Sequence, residues 1–221
     1  MRRLALPAGV DPGIEVWLLD LDPAQPIDVA AWSDLDEDER ARALALRRAG
    51  DRLRYGATRS ALRRLLARRL GRGAAELRFA AGPHGKPALV GAPEVAFNVS
   101  HSGAHALIAL GGAGALGVDI EATGAGLPER GVLERVLTSA ERAWVGTEPD
   151  AFYTLWTAKE ALLKAHGTGI RIAPDRLGLE RDAQGALCLL HAPAEIAAAA
   201  PAIWKLSAPP GYAAALATMA R

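Results

Sequence analysis

Gly117-Val118-Asp119-Ile120-Glu121 ends an apolar run that starts at residue 115 and reads as a buried strand. Alternate side chains of a strand share one face, so Asp119 and Glu121 are predicted to point the same way. Two carboxylates on the same side of a buried strand need a partner, and a cation relieves their mutual repulsion best.

A second segment has the spacing of a helix: Trp156-Thr157-Ala158-Lys159-Glu160-Ala161-Leu162-Leu163-Lys164. In a helix Trp156, Glu160 and Lys164 form one stripe, whereas Lys159 points about 100° away from Glu160. Taken alone, Glu160 and Lys164 are better explained as an ordinary ion pair along a helix. Together with the strand, this segment supplies hard oxygen ligands of the kind that Mg²⁺ binds alongside substrate phosphates. We therefore expect phosphoryl or phosphodiester transfer.

These two segments resemble the G-x-D-x-E and W-x-x-K-E-x-x-x-K signatures of the 4'-phosphopantetheinyl transferases, specifically the longer surfactin-synthetase type. Two further segments are similar to motifs of the same family, in the same order. Gly85-Lys86-Pro87 resembles its G-K-P turn, and Phe97-Asn98-Val99-Ser100-His101-Ser102 resembles its F-N-x-S-H-S element. Four motifs in the expected order argue against chance agreement. The resemblance covers residues 35–170.

The resemblance implies transfer of the 4'-phosphopantetheine arm of coenzyme A to a serine of an apo acyl or peptidyl carrier protein, with release of adenosine 3',5'-bisphosphate. It implies Mg²⁺ held by Asp119, Glu121 and Glu160, and it leaves open whether Mn²⁺ can replace Mg²⁺. Lys164 would hold or protonate the leaving phosphate. A hydrolase that uses the same metal site on coenzyme A, with water as the acceptor, is the alternative.

Two glutamates compete for the role of base toward the carrier serine. Glu141 lies in a segment similar to the family's R-F-x-S-x-x-E element, from which Val136 and Thr138 depart. We favour Glu160 and keep Glu141 as the second candidate. Lys159 contacts either phosphate or solvent.

The resemblance also implies a set of coenzyme A contacts. Lys86 would lie beside the adenine or the 3'-phosphate, and Ser100 and His101 on the nucleotide phosphates, with His101 as a donor and partial cation. A Ser-His hydrolase is disfavoured, because adjacent residues of an extended chain point to opposite faces and the sequence has no G-x-S-x-G elbow. The complete predicted set is Arg42, Lys86, Ser100, His101, Asp119 and Lys164.

Charge is balanced over the chain but not along it. The 221 residues carry a net charge of +1, which gives no general case for nucleic acid or membrane as a partner, yet residues 40–72 hold twelve arginines and one acidic residue. Amphipathic helices with arginine on their exposed faces account for most of them. A nucleic-acid-binding module would require a strongly basic domain and a readout motif. Arg63 and Arg64 are predicted to help dock an acidic carrier protein.

We expect an α+β fold in which a pseudo-twofold pair of similar subdomains, residues 1–110 and 111–221, holds the active site in the cleft between them. The pair and its cleft follow from the resemblance, as does a self-contained monomer. The single cysteine, Cys188, excludes a disulfide framework, and no stretch is predicted to be a signal peptide or a membrane span, so a cytoplasmic protein is expected. Helices are predicted at residues 36–49, 51–70, 128–136, 139–145 and 150–166, and strands at 15–21, 76–80, 96–99, 105–110, 115–120, 177–181, 186–190, 203–207 and 212–218.

Overall fold

The predicted strand and helix of the two opening motifs both form, and they pack against each other at the centre of the molecule. The computed structural model describes residues 1–22, 32–82, 84–124 and 126–220. Its α-helices are α1 (Glu37–Ala45), α2 (Ala49–Leu70), α3 (Arg130–Val136), α4 (Ser139–Val145), α5 (Pro149–His166) and α6 (Ala194–Ala197). Its strands are β1 (Arg2–Arg3), β2 (Glu15–Asp20), β3 (Phe79–Ala81), β4 (Pro87–Leu89), β5 (Ala96–Ser102), β6 (His105–Gly111), β7 (Ala115–Ala122), β8 (Gly178–Arg181), β9 (Leu187–His191), β10 (Ala202–Lys205) and β11 (Tyr212–Met219).

The two halves of the chain repeat one topology. In the first half, strand β2 is followed by helices ending in the long α2, then by the hairpin β3–β4 and the antiparallel pair β5–β6. In the second half, β7 is followed by helices ending in the long α5, the hairpin β8–β9 and the antiparallel pair β10–β11. The sheet orders match as well, β2-β6-β5 against β7-β11-β10, with the last strand between the other two each time; the first sheet carries β1 as an additional strand beside β2. The α+β class and the similarity of the halves are thus confirmed, although the sequence shows no internal repeat.

Apolar side chains arrange the elements in four layers. One core cluster lies between α2 and the first sheet, and another lies between α5 and the second sheet. A third cluster joins the two sheets through inward residues such as Leu18, Leu107, Val118 and Leu216. Strands β5 and β7 each have one edge without a strand partner among the described residues, and these two edges lie beside each other along one side of this shared layer. None of the helices among the described residues is long and apolar enough to cross a membrane.

Local sequence signals explain where the helices begin and end. Asp36 and Glu39 form a reciprocal capping box at the start of α1, and Thr138 and Glu141 form another at α4. The long helix α5 ends at Gly167, whose φ of 88° is the left-handed conformation that glycine adopts without strain. The predicted helices and strands all form, with ends shifted by a few residues. Strands β1 and β4 were not predicted.

Gly117 of the G-x-D-x-E motif is where β7 and α5 come closest. A methyl group at this position would lie 2.5 Å from the Ala165 backbone nitrogen and closer still to the Ala161 carbonyl oxygen. Both obstacles are helix backbone, which cannot rotate away as a side chain can. Glycine in the motif, and alanine at the facing positions of α5, therefore allow the helix to lie directly on the strand.

Replacing Gly117 by alanine is expected to lower the free energy of unfolding by about 1–3 kcal/mol, because the added methyl group overpacks this contact. Urea unfolding followed by circular dichroism measures the change. Gly131→Ala in α3 is the matched control, because a methyl group there meets nothing within 4 Å. The control should be as stable as the wild type or slightly more stable, since alanine favours helix. Equal midpoints for wild type and Gly117→Ala would contradict the close approach of α5.

Candidate active site

One edge of β7 has no strand partner among the described residues, because β11 pairs with the opposite edge. Side chains of β5 take the place of a strand. Three N–H groups of β7 donate to them, in the pairs Val118 to Asn98 Oδ1 (2.9 Å), Ile120 to Ser100 Oγ (3.4 Å) and Ala122 to Ser102 Oγ (3.1 Å). We call this arrangement the side-chain ladder. It makes the F-N-x-S-H-S element the seam between the two sheets.

The two serines of the side-chain ladder also orient the carboxylates of β7. Ser100 Oγ donates to Asp119 Oδ1 at 2.7 Å, and Ser102 Oγ donates to Glu121 Oε2 at 2.9 Å. Each serine therefore accepts from the backbone of one β7 residue and donates to the carboxylate of the residue before it. Asp119 and Glu121 share the face of β7 that is turned to α5, as the alternation predicts.

Helix α5 presents its stripe of Trp156, Glu160 and Lys164 to this face. Lys164 Nζ donates to Asp119 Oδ1 at 2.6 Å and to Ser100 Oγ at 3.0 Å, and Trp156 Nε1 lies 3.4 Å from Glu121 Oε1. Asp119 is 2% exposed, and its Oδ2 is buried with no hydrogen-bond partner among the described residues. The structure thus brings the strand and helix motifs into one site.

Negative charge accumulates at this site and changes the protonation of its glutamates. Burial raises the pKa of Glu121, and the nearby charge of Asp119 raises it further. Burial likewise raises the pKa of Glu160; Lys164 opposes this increase, while Asp119 and Glu121 add to it. A carboxylate with a raised pKa is a stronger base and gains more from a neighbouring cation.

The donors suit a magnesium ion that keeps part of its water shell. Within the described parts of the chain, no group of three His, Cys, Asp or Glu side chains is already arranged to hold a metal ion. The site does offer the buried, unpartnered Asp119 Oδ2 close to two carboxylates that its charge destabilises. Mg²⁺ is commonly held by one or two carboxylates, with water and phosphate oxygens as its other ligands. These residues therefore fit the ion, and the set of three carboxylate ligands remains a prediction.

Glu141 has a different surrounding from the one expected of a catalytic base. It is 1% exposed; its Oε2 accepts from Lys159 Nζ at 2.5 Å and from the Thr138 N–H at 2.7 Å, and its Oε1 accepts from the Leu179 N–H at 2.9 Å. Lys159 is fully buried and also donates to the Val136 carbonyl, so it meets neither phosphate nor solvent. Burial lowers the pKa of Lys159, while the bond to Glu141 opposes this. We correct both expectations and assign this pair to holding α4 against α5.

Lys86 also has contacts other than the predicted phosphate. Its ammonium donates to three backbone carbonyls, those of Leu116 (2.9 Å), Lys164 (2.6 Å) and Ala165 (3.1 Å). The first belongs to β7 and the other two to the end of α5. In this structure Lys86 therefore joins elements of the second half to the turn between β3 and β4.

Arg42 and His101 both line a cavity of about 500 Å³ beside α1 and α2, and Gly85 lines it as well. Ser100 faces β7 while its neighbour His101 faces this cavity, so the two do not act on each other. Desolvation lowers the pKa of His101, and the charges of Arg54 and Lys164 lower it further. His101 is nevertheless an exposed residue, so this desolvation is incomplete. The expected role of His101 as a partial cation beside a bound phosphate stays a prediction, because a neighbouring phosphate would raise this pKa.

The arginines of α2 are largely committed to the fold. Arg63 is fully buried and donates to Glu39 Oε2 and Asp36 Oδ2, both at 2.6 Å, and to the Ala74 carbonyl at 2.7 Å. Its predicted role in docking is therefore wrong. Arg64 is 59% exposed and pairs with Asp34, so its predicted role in docking stays a prediction.

Comparison with known proteins identifies the family. The sequence model of the 4'-phosphopantetheinyl transferase superfamily matches residues 115–217. Over 173 residues the chain is 37% identical to the putative 4'-phosphopantetheinyl transferase slr0495 of Synechocystis, covering 72% of this chain and 67% of that protein. The chain belongs to the 4'-phosphopantetheinyl transferase superfamily. The predicted family is confirmed, and with it the transferase class of enzyme.

Other members of the superfamily have a lower sequence identity to this chain or match a smaller part of it. HetI of Nostoc is 32% identical over 167 residues, covering 71% of this chain and 70% of that protein, and Sfp of Bacillus subtilis is 29% identical over 115 residues, or 50% of each. Among solved structures, the holo-[acyl-carrier-protein] synthase of Neisseria meningitidis aligns with a TM-score of 0.43 at 22% identity, covering 48% of this chain and 98% of that one.

Sequence reasoning missed Asn98 and Ser102 as members of the candidate active site. Both lie inside the quoted motif and alternate with Ser100, so the period of a strand places all three on one face. That signal was present. The partner of these residues, the unpaired edge of β7, could not be read from the motif itself.

Glu141→Gln and Lys159→Met are each expected to lower the free energy of unfolding by about 3–5 kcal/mol, because each leaves a buried partner without its counter-charge. The loss of unfolding free energy in the double variant should be smaller than the sum of the losses in the two single variants. Urea unfolding measures all three. Well below its melting temperature Glu141→Gln should keep its catalytic rate. Loss of that rate in a fully folded Glu141→Gln protein would restore Glu141 as the base.

Glu160→Gln is expected to raise stability at neutral pH. A carboxyl whose pKa is raised by folding stabilises the fold at low pH, and this contribution is lost as pH rises through the folded pKa. The urea midpoint of Glu160→Gln should therefore exceed that of the wild type at pH 7, and the gain should shrink as the pH falls toward 4.5, the ordinary value of this group. Glu180→Gln, exposed on β8, is the control and should follow the wild type. A less stable Glu160→Gln protein at pH 7 would contradict the raised pKa.

Proposed function

We propose that this protein transfers the 4'-phosphopantetheine arm of coenzyme A to a serine of an apo acyl or peptidyl carrier protein and releases adenosine 3',5'-bisphosphate. Family membership supports this reaction class. The observation that carries the proposal is the contact of Lys164 with Asp119 and Ser100, since it joins three of the family-like motifs at one buried carboxylate.

In the transfer, the serine oxygen bonds to the phosphorus that carries pantetheine, and the bond from that phosphorus to the adenosine phosphate oxygen breaks. The serine proton passes to a base, for which Glu160 is the better candidate. Glu160 is partly open to solvent and its pKa is raised, whereas Glu141 is enclosed and bound to Lys159. A base titrating closer to neutral pH takes up a proton more readily.

Lys164 carries the positive charge nearest to Asp119, and it is 27% exposed. Asp119 and Ser100 hold the Lys164 ammonium from the buried side. The pyrophosphate of coenzyme A would contact the same ammonium from the side that is open to solvent. Lys164 would then bind the leaving phosphate and supply charge where it develops. When bound, Mg²⁺ would neutralise the pyrophosphate, held by Asp119 with Glu121 and Glu160 as the predicted further ligands.

Binding of the nucleotide is proposed at the cavity beside α1 and α2. Arg42 lines it together with His101, and a phosphate placed next to the neutral imidazole would favour its protonation. We also propose that residues 1–110 and 111–221 are two subdomains within a cytoplasmic monomer. The strand pairing is compatible with this division, because every pair lies within one half.

Intact-mass analysis of an apo carrier protein, incubated with this protein, coenzyme A and Mg²⁺, tests the function. A gain of one phosphopantetheine is expected, and Asp119→Ala and Glu160→Ala should reduce its rate by about 100-fold or more, as for the loss of a group that stabilises the transition state. Glu180→Ala is the control. No gain with several carriers, while coenzyme A is consumed, would replace the transferase by the hydrolase.

Binding of Mg²⁺ can also be tested by a measurement that does not depend on turnover. Mg²⁺ should raise the melting temperature of the wild type, because an ion that binds only the folded state stabilises it. The rise should be lost in Asp119→Ala. An equal rise in both proteins would contradict a magnesium site at Asp119.

A further inference from the structure

Lys86 reaches from one half of the molecule into the other. It lies between Gly85 and the start of β4, and its ammonium contacts the carbonyls of Leu116, Lys164 and Ala165 at 2.6–3.1 Å. Its aliphatic stem passes close to Gly167, where a methyl group would lie 3.6 Å from Lys86 Cδ. The side chain therefore crosses the C-terminal end of α5.

Each of these carbonyls needs a partner from outside its own element. Those of Lys164 and Ala165 belong to the last turn of α5, where carbonyls have no intrahelical donor and the helix dipole is negative. That of Leu116 lies on β7, two residues before the first N–H of the side-chain ladder, at Val118. An ammonium has three donors, and here three carbonyls receive them.

The carbonyls that Lys86 holds belong to the backbone that carries the candidate active site. Lys164 provides the ammonium on Asp119, and Leu116 lies three residues before Asp119 on the same strand. We propose that Lys86 is a positioning residue: it fixes the end of α5 against β7 and thereby sets the geometry of the Lys164–Asp119 pair. Its effect on turnover rests on the proposed function.

A positioning role and a contact with the 3'-phosphate of coenzyme A make opposite predictions. To bind that phosphate, the Lys86 ammonium would have to turn away from the carbonyls that it now contacts. A phosphate contact is lost when the substrate has no 3'-phosphate, so 3'-dephospho-coenzyme A separates the two roles. If Lys86 only positions the backbone, replacing it should weaken binding of coenzyme A and of 3'-dephospho-coenzyme A by the same factor or leave both unchanged.

Lys86→Met keeps the stem and removes the charge. With this variant, kcat for carrier modification should fall about 10- to 100-fold, as expected for a small misplacement of catalytic groups. Calorimetry gives the dissociation constants for coenzyme A and for 3'-dephospho-coenzyme A, and the ratio of the first to the second should stay within about twofold of the wild-type ratio. Loss of a phosphate contact worth about 1.4 kcal/mol would instead change this ratio tenfold. Lys86→Arg should recover part of kcat. Lys205→Met, exposed on β10, is the matched control and should match the wild type.

A rise in that ratio toward one, with kcat retained, would show a phosphate contact and overturn the proposal. A lower melting temperature with wild-type kcat at a temperature where the variant is folded would also overturn it, since Lys86 would then be only structural. Hydrogen exchange keeps the test independent of turnover: Lys86→Met should speed amide exchange at residues 163–167 and 118–121. Unchanged exchange there would refute the positioning role, whereas a wild type that modifies no carrier would refute only the proposed function.

Discussion

The free edge of β7 is the constraint on which this site depends. A strand edge exposes N–H and C=O groups that must find partners, and most proteins supply them with another strand, with water or with a covering element. Here side chains of the other half supply them: Asn98, Ser100 and Ser102 accept the N–H groups, and Lys86 binds a carbonyl. Side chains leave more room than a paired strand would, so the edge can be satisfied while a site stays open beside it.

This arrangement gives the serines a double task. A hydroxyl can accept and donate at once, so Ser100 closes the backbone of β7 and also fixes Asp119. The same bonds that join the halves therefore aim the carboxylates. The combined negative charge of the carboxylates is unfavourable, as the raised pKa values of Glu121 and Glu160 indicate. Binding of a cation would relieve this repulsion, and such locally unfavourable charge is how functional sites commonly differ from the rest of a fold.

The sequence was sufficient for features that depend on local period. The strand alternation placed Asp119 with Glu121, and the helix period placed Trp156, Glu160 and Lys164 on one stripe. It was insufficient where burial of a charge is decided by distant partners. Lys159 and Arg63 look like surface residues of helices, yet both are enclosed and each pairs with a carboxylate of another helix, Lys159 with Glu141 and Arg63 with Glu39. The residue type predicts exposure, and only tertiary packing can reverse it.

The repeated topology explains why the site lies where it does. In the second half β7 and β10 lie at the edges of the sheet, because the last strand, β11, inserts between them. In the first half β6 likewise inserts between β2 and β5, which leaves β5 at one edge, while β1 covers the other side of β2. One half alone would therefore leave an apolar face and two unpaired edges. Packing the halves together covers the faces and sets β5 beside β7, but the residues there are Asn, Ser and Asp instead of apolar ones. Because β5 of the first half and β7 of the second half both contribute polar side chains where the two sheets join, neither half could form the candidate site alone.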